Sequence, residues 1–279
     1  MKYFSIAGLQ LDLELNNNKD LVIEKINQTV VRYPWLNMIV VSELAVGGAS
    51  RSEEFFLDNN IEAFQNLAKE RDIWLIPGSF YHRQDKQITN VAPVISNKGE
   101  IVKLCIKNYP FEPYEKGISN SKESCIFEIE GVGIFGVHIC YDLWFPETSR
   151  ALAMQGAQII IHPSLTDTCD RNEEKIMARA TAIQQQCYYF DVNAGGKQGC
   201  GQSIIVGPEG EVLTELGSSE EVALLEINLD KVDQIRIRGI KGLGQPLKSF
   251  RDNPLNFKDQ KNEEYLNTLG SLELPIKIK

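Results

Sequence analysis

Residues 136–164 read "GVHICYDLWFPETSRALAMQGAQIIIHPS", and this stretch decides the fold class. An apolar, β-prone run over 133–140 ends at Cys140. A bend-prone "YDLWF" follows, then Pro146, a residue suited to the first position of a helix. Gly156 stops that helix, and a second strand begins near 158–162. Strand, turn, helix and strand in succession form the building unit of an α/β protein. The alternation continues on both sides, with strands expected near 3–11, 37–43, 73–80, 91–96, 101–106, 188–193, 202–206, 211–216 and 222–228. Val22, Ile26, Val30 and Tyr33 share one face of a helix near 19–33, and Ile61, Phe64, Leu67 and Ala68 do so near 60–70. A further helix is expected near 173–186. The turns "NKGE" (97–100) and "GPEGEV" (207–212) lie between β-prone runs and predict hairpins, so the sheets are mixed.

No linker or change of composition divides the 279 residues, which reads as one domain over 1–252 with a tail, 253–279, able to pack on a partner subunit. The net charge of −9 argues against nucleic acid or an anionic membrane as partner and fits a small-molecule substrate. No apolar run approaches the ~18 residues that a spanning helix requires. The opening "MKYFSIAGLQLDLEL" reads as a strand and not a signal peptide. The cysteines at 105, 125, 140, 169, 187 and 200 have no framework spacing, so all six are expected as reduced thiols in a cytoplasm. His82, His138 and His162 lie far apart and form no motif with cysteine, so no metal is expected.

Three strands end on residues with chemistry: "MIVVSE" at Glu43, "EIVKLCIK" at Lys107 and "GIFGVHIC" at Cys140. Ligands of α/β sheets bind at the carboxyl ends of strands. A thiol there needs a base to ionise, which Glu43 supplies before passing the proton to a leaving amine. Lys107 and the backbone N–H of Tyr141 are suited to an oxyanion.

"SELAVGG", "IKNYPFEPYEKG" and the Cys140 block together resemble the three catalytic blocks of the nitrilase, or carbon–nitrogen hydrolase, superfamily, and "MARATAIQQQCYYFDVNAGG" and "GQSIIVGPEGEVL" resemble its later blocks. The resemblance implies an α-β-β-α four-layer sandwich with two mixed sheets that assembles as a homodimer or larger homo-oligomer. It also implies hydrolysis of a non-peptide C–N bond through a cysteine thioester, without cofactor. By the same resemblance Glu43 is the base, Lys107 the catalytic lysine, Cys140 the nucleophile, and Glu112 the supporting glutamate, with Glu115 as competitor. Tyr114, Tyr141, Trp144 and Thr166 are expected to frame the substrate. Asp142, where nitrilases generally carry glutamate, points to the amidase-like branches, leaving an N-carbamoyl amide or a nitrile as alternatives. Two other readings are a papain-like Cys–His pair using His162 or His138 and a non-catalytic binding module. His138 is expected as a packed, hydrogen-bonded residue, and Arg171 as a solvated loop residue or an anchor for a substrate carboxylate.

Overall fold

Alternate side chains of a strand point to opposite faces, so a strand apolar throughout must be covered on both. The computed structural model, which describes residues 3–112, 114–255 and 261–271, shows this arrangement. Phe4, Ile6, Met38, Val40, Ile159, Ile161, Phe190 and Val192 fill a central core between two sheets. Ala7, Leu9, Ile39 and Val41 face outward beneath the helices Lys19–Arg32 and Ile61–Arg71. Ile160 and Tyr189 lie under the helices Pro146–Met154 and Arg171–Gln185. The architecture is an α-β-β-α sandwich. Each fully buried Ile, Leu or Phe in these layers contributes about 1.5–3 kcal/mol.

Among the described residues the first sheet has seven strands. They run Glu221–Ile227, Phe4–Gln10, Met38–Val41, Trp74–Ile76, Gln87–Ile95 and Phe80–Gln84, and Ile101–Ile106 pairs on Gln87–Ile95. The second runs Val212–Glu215, Ile204–Val206, Tyr188–Asn193, Ile159–Ser164, Gly133–Val137 and Cys125–Ile129. Met38–Val41 is parallel to both its neighbours, and so is Ile159–Ser164. Both expected hairpins are present. The sheets approach so closely at Gly8 that a Cβ there would lie 2.7 Å from Val192 Cγ2.

Two expectations are corrected and two strands are added. The strand expected over 133–140 ends at Val137, and Cys140 instead opens a 3-10 turn, Cys140–Trp144. The strands Phe80–Gln84 and Cys125–Ile129 alternate apolar with polar residues weakly and were not anticipated. Cys105 and Cys125 are not free thiols: they form a disulfide with a Cα–Cα distance of 5.3 Å. Twenty residues apart in sequence, they meet because one strand closes the first sheet and the other the second, so the bond staples the two sheets together. The tail expected over 253–279 lies partly outside the described residues, and its described part is exposed. No described helix is long and apolar enough to cross a membrane.

Candidate active site

The carboxyl ends of strands from both sheets meet at one rim. Glu43 lies two residues beyond Met38–Val41, and its N–H donates to the Ser164 carbonyl of the other sheet at 3.2 Å. Leu44, next in the chain, adopts φ 47° with its N–H on Ser79 Oγ. Gly78 makes room for this turn, since a Cβ there would come within 2.1 Å of the Ser42 carbonyl oxygen. Lys107 follows Ile101–Ile106 and is anchored through its N–H to the Asn90 carbonyl.

Cys140 has φ 47°, a left-handed conformation that costs an L-residue roughly 1–2 kcal/mol and is upheld by its surroundings. Asp142 supplies much of that support. One of its carboxylate oxygens accepts the Ile139 N–H at 3.0 Å, and the other accepts those of Asn108 and Tyr109 at 3.0 and 2.8 Å. One buried carboxylate thus ties the cysteine turn to the loop following Lys107. Burial pushes its pKa up to about 6, against the lowering effect of Lys107 and these N–H groups. Aromatic rings reinforce the tie: Tyr109 stacks on Phe145 at 3.5 Å and Phe111 packs on Tyr141 at 4.7 Å.

Glu43, Lys107, Glu115 and Cys140 line one cavity of about 480 Å³. Lys107 Nζ donates to Glu43 Oε1 at 2.8 Å and to Glu115 Oε2 at 2.7 Å, and all three side chains are buried. Asn90 Nδ2 spans the same two carboxylates at 2.8 and 2.9 Å. Burial pulls the Lys107 pKa down, but Glu43, Cys140 and Glu115 outweigh it and hold the ammonium well above its ordinary value. Glu115 is pushed up by burial and down more strongly by Lys107 and by the N–H of Phe111, for a net lowering. Burial and then Glu43 raise the Cys140 thiol well above its usual value, opposed by Lys107 and by the Leu165 N–H. Resting as a thiol, it requires a neighbouring base to become a nucleophile.

The expectation for Glu112 is corrected here. Glu112 is half-buried, whereas Glu115 holds the lysine, because the turn after Phe111 brings the Glu115 carboxylate back onto the Phe111 N–H at 2.6 Å. Tyr114, Tyr141, Trp144 and Thr166 all line the cavity, with Tyr81 and Phe111 beside them. Arg171 does not: it is buried at the start of its helix, paired with Glu174 and Asp191. His138 is packed as expected but neither ring nitrogen has a well-formed hydrogen bond, and burial lowers its pKa to about 3. His162 Nε2 lies 2.9 Å from the carbonyl oxygen of Cys140, on the peptide and not on the sulfur. That geometry does not form a Cys–His dyad.

Asn90 was missed by sequence reading because its strand begins earlier than expected, at Gln87. Its signal was an amide followed at once by the apolar "VAPVI". Among the described residues no group of three or more His, Cys, Asp or Glu is arranged to hold a metal.

Residues 6–237 match the carbon-nitrogen hydrolase family, and the chain belongs to it. Deaminated glutathione amidase of Bos taurus is 29% identical over 207 residues, covering 67% of this chain and 63% of the relative. The chain therefore spans less than two thirds of that relative's length. The crystal structure of Saccharomyces cerevisiae Nit3, a nitrilase-superfamily member, superposes with a TM-score of 0.77 at 23% identity, over 85% of this chain and 94% of the other. A variant of the amidase from Nesterenkonia sp. AN1, bearing the acetamide moiety of fluoroacetamide on its active-site cysteine, superposes with a TM-score of 0.74 at 21% identity, over 83% and 92%.

Proposed function

We propose that this protein hydrolyses the C–N bond of a small non-peptide amide through a thioester on Cys140. The observation that carries the reading is the Lys107 ammonium gripped by two buried carboxylates in the cavity that Cys140 lines. Glu43 takes the thiol proton as sulfur attacks the substrate carbonyl. The tetrahedral oxyanion is met by Lys107 and the Tyr141 N–H. Glu43 returns the proton to the leaving nitrogen, ammonia or an amine departs, and Glu43 then activates the water that releases the carboxylic acid. Glu115 and Asn90 keep Lys107 charged and aimed.

The cavity wall, with Asp167, Asp170 and Glu174 beside its aromatic rings, favours an acyl group that carries no negative charge. Tyr81, Phe111, Tyr114, Tyr141 and Trp144 line it. Its lysines are both engaged, Lys107 as above and Lys197 with Glu14. N-carbamoyl amides and nitriles belong in the same assay as alternatives. The exposed apolar residues Met154, Ile176 and Leu243 support pairing with a second copy of the chain.

A panel of primary amides, ureido acids and nitriles, assayed for ammonia release with mass spectrometry of the intact protein, tests the reading. An acyl adduct on Cys140 with an amide is expected. Amide turnover that persists in Cys140→Ala would overturn it.

A further inference from the structure

Beneath the cysteine turn lies a second buried cluster, which the proposed reaction does not employ. His162, within Ile159–Ser164, points Nδ1 at Asp191 Oδ1, 2.7 Å away, and Nε2 at the Cys140 carbonyl oxygen at 2.9 Å. A carboxylate oxygen and a peptide oxygen both accept, so both ring nitrogens donate and the ring is an imidazolium. Asp191 is shared with Arg171, whose guanidinium also reaches Glu174 at 2.9 Å and the Gln202 carbonyl at 2.9 Å. Glu174 Oε1 accepts from Thr166 Oγ1 at 3.0 Å, on the cavity wall.

The Cys140 carbonyl and the Tyr141 N–H belong to one peptide unit. A charged donor on the carbonyl oxygen withdraws electron density from that unit and strengthens its N–H as a donor. The same bond restrains the left-handed Cys140 backbone. We propose that His162, held as an imidazolium by Asp191, is a positioning residue that fixes the nucleophile turn and polarises the Cys140–Tyr141 peptide toward the oxyanion. This rests on the acyl-transfer reading above.

The groups facing the ring from every neighbouring element are Asp191, Arg171 and Glu174, the Cys140 carbonyl, Asp142 on the turn, and the rings of His138 at 6.2 Å and Tyr189 at 5.4 Å. Burial opposes the charged ring, and Asp191 outweighs burial, raising the His162 pKa. Replacing Asp191 by Asn removes that support while Arg171 keeps Glu174 and Gln202.

The test compares His162→Gln and Asp191→Asn with the unmodified protein, with kcat expressed per Cys140 alkylated by iodoacetamide, quantified on the Cys140 peptide by mass spectrometry because Cys169 and Cys200 are also free. Loss of a whole oxyanion donor costs about 10²–10³-fold, so loss of its polarisation is expected to cost about tenfold in kcat with KM little changed. Asp191→Asn is further expected to recover kcat as pH falls and the ring regains its proton, whereas His162→Gln shows no such recovery. A merely structural role lowers the titratable fraction and the melting temperature without altering kcat per thiol or its pH profile. Unchanged kcat per titrated thiol in His162→Gln overturns the proposal. Turnover that survives Cys140→Ala overturns the underlying reading instead, so the two failures are distinguishable.

Discussion

The two buried charge clusters that flank Cys140 follow opposite plans. The first sets one ammonium, Lys107, against two carboxylates, Glu43 and Glu115, and opens onto the cavity. The second balances His162 and Arg171 against Asp191 and Glu174, and of these only Glu174 lines the cavity. Burying ions is costly, and full pairing offsets the cost. The second cluster is balanced in charge, each ion facing an opposite one, and is suited to being a support. The first keeps a surplus carboxylate in the cavity that the Cys140 thiol also lines, the arrangement the proposed proton transfer calls for. A charge imbalance at the cavity thus distinguishes the candidate chemistry from its scaffold.

The harshest way to break this contrast is Cys140→Ala. Ammonia release is expected to fall by at least about 10⁴-fold, the scale set by loss of a nucleophile, while thermal unfolding is unchanged. Lys107→Met attacks the imbalance itself. It leaves two carboxylates buried without a counter-charge, so denaturant unfolding is expected to show a loss of about 3–5 kcal/mol, with turnover reduced by about 10²–10³-fold.

Opening the Cys105–Cys125 bond in a Cys125→Ser variant bears on neither cluster directly. Loop closure over this separation corresponds to about 3 kcal/mol, read as a shift of the urea midpoint. Cys105 lies two residues before Lys107, so a modest fall in activity accompanies it.

Titration sharpens the comparison further. Lys107 has a raised folded pKa, so its stabilisation is complete below the unfolded lysine value near ~10.4 and is lost as pH rises through the folded value. Glu115 has a lowered folded pKa, so its contribution holds above the unfolded value near ~4.3 and is lost as pH falls. Asp142 has the opposite sign to Glu115. Its folded pKa of about 6 exceeds the unfolded value near ~3.9, so the native state holds the proton longer and stability declines as pH rises between them. Asp142→Asn is expected to flatten that limb in urea unfolding between pH 4 and 6. Smallest of all, Glu112→Gln should leave kcat within about twofold, whereas Glu115→Gln should cost on the order of 10²-fold, as loss of the group that aims Lys107. Equal effects in steady-state assays would erase the distinction between the two glutamates.

The strand–turn–helix–strand unit over 133–164 was legible because both apolar periods and the Pro146 and Gly156 boundaries are local signals. Glu43, Lys107 and Cys140 were legible as residues at the carboxyl ends of strands, although each lies one to three residues beyond its strand. The choice of Glu115 over Glu112 was not, since both occupy one turn and its backbone path alone decides which carboxylate returns to the Phe111 N–H. The disulfide was hidden because its cysteines belong to different sheets, and sequence spacing carries no record of how sheets stack.

What the sequence by itself determined was the layered α/β plan and the three candidate catalytic side chains, because strand periodicity and chain-local turns are properties of short segments. Only the tertiary structure decided how Lys107 is held, which glutamate holds it, and that His162, Asp191 and Arg171 lock together under the cysteine. Those contacts join residues 8 to 64 positions apart, and pairing of buried charge depends on where packing places the atoms, to a fraction of an ångström.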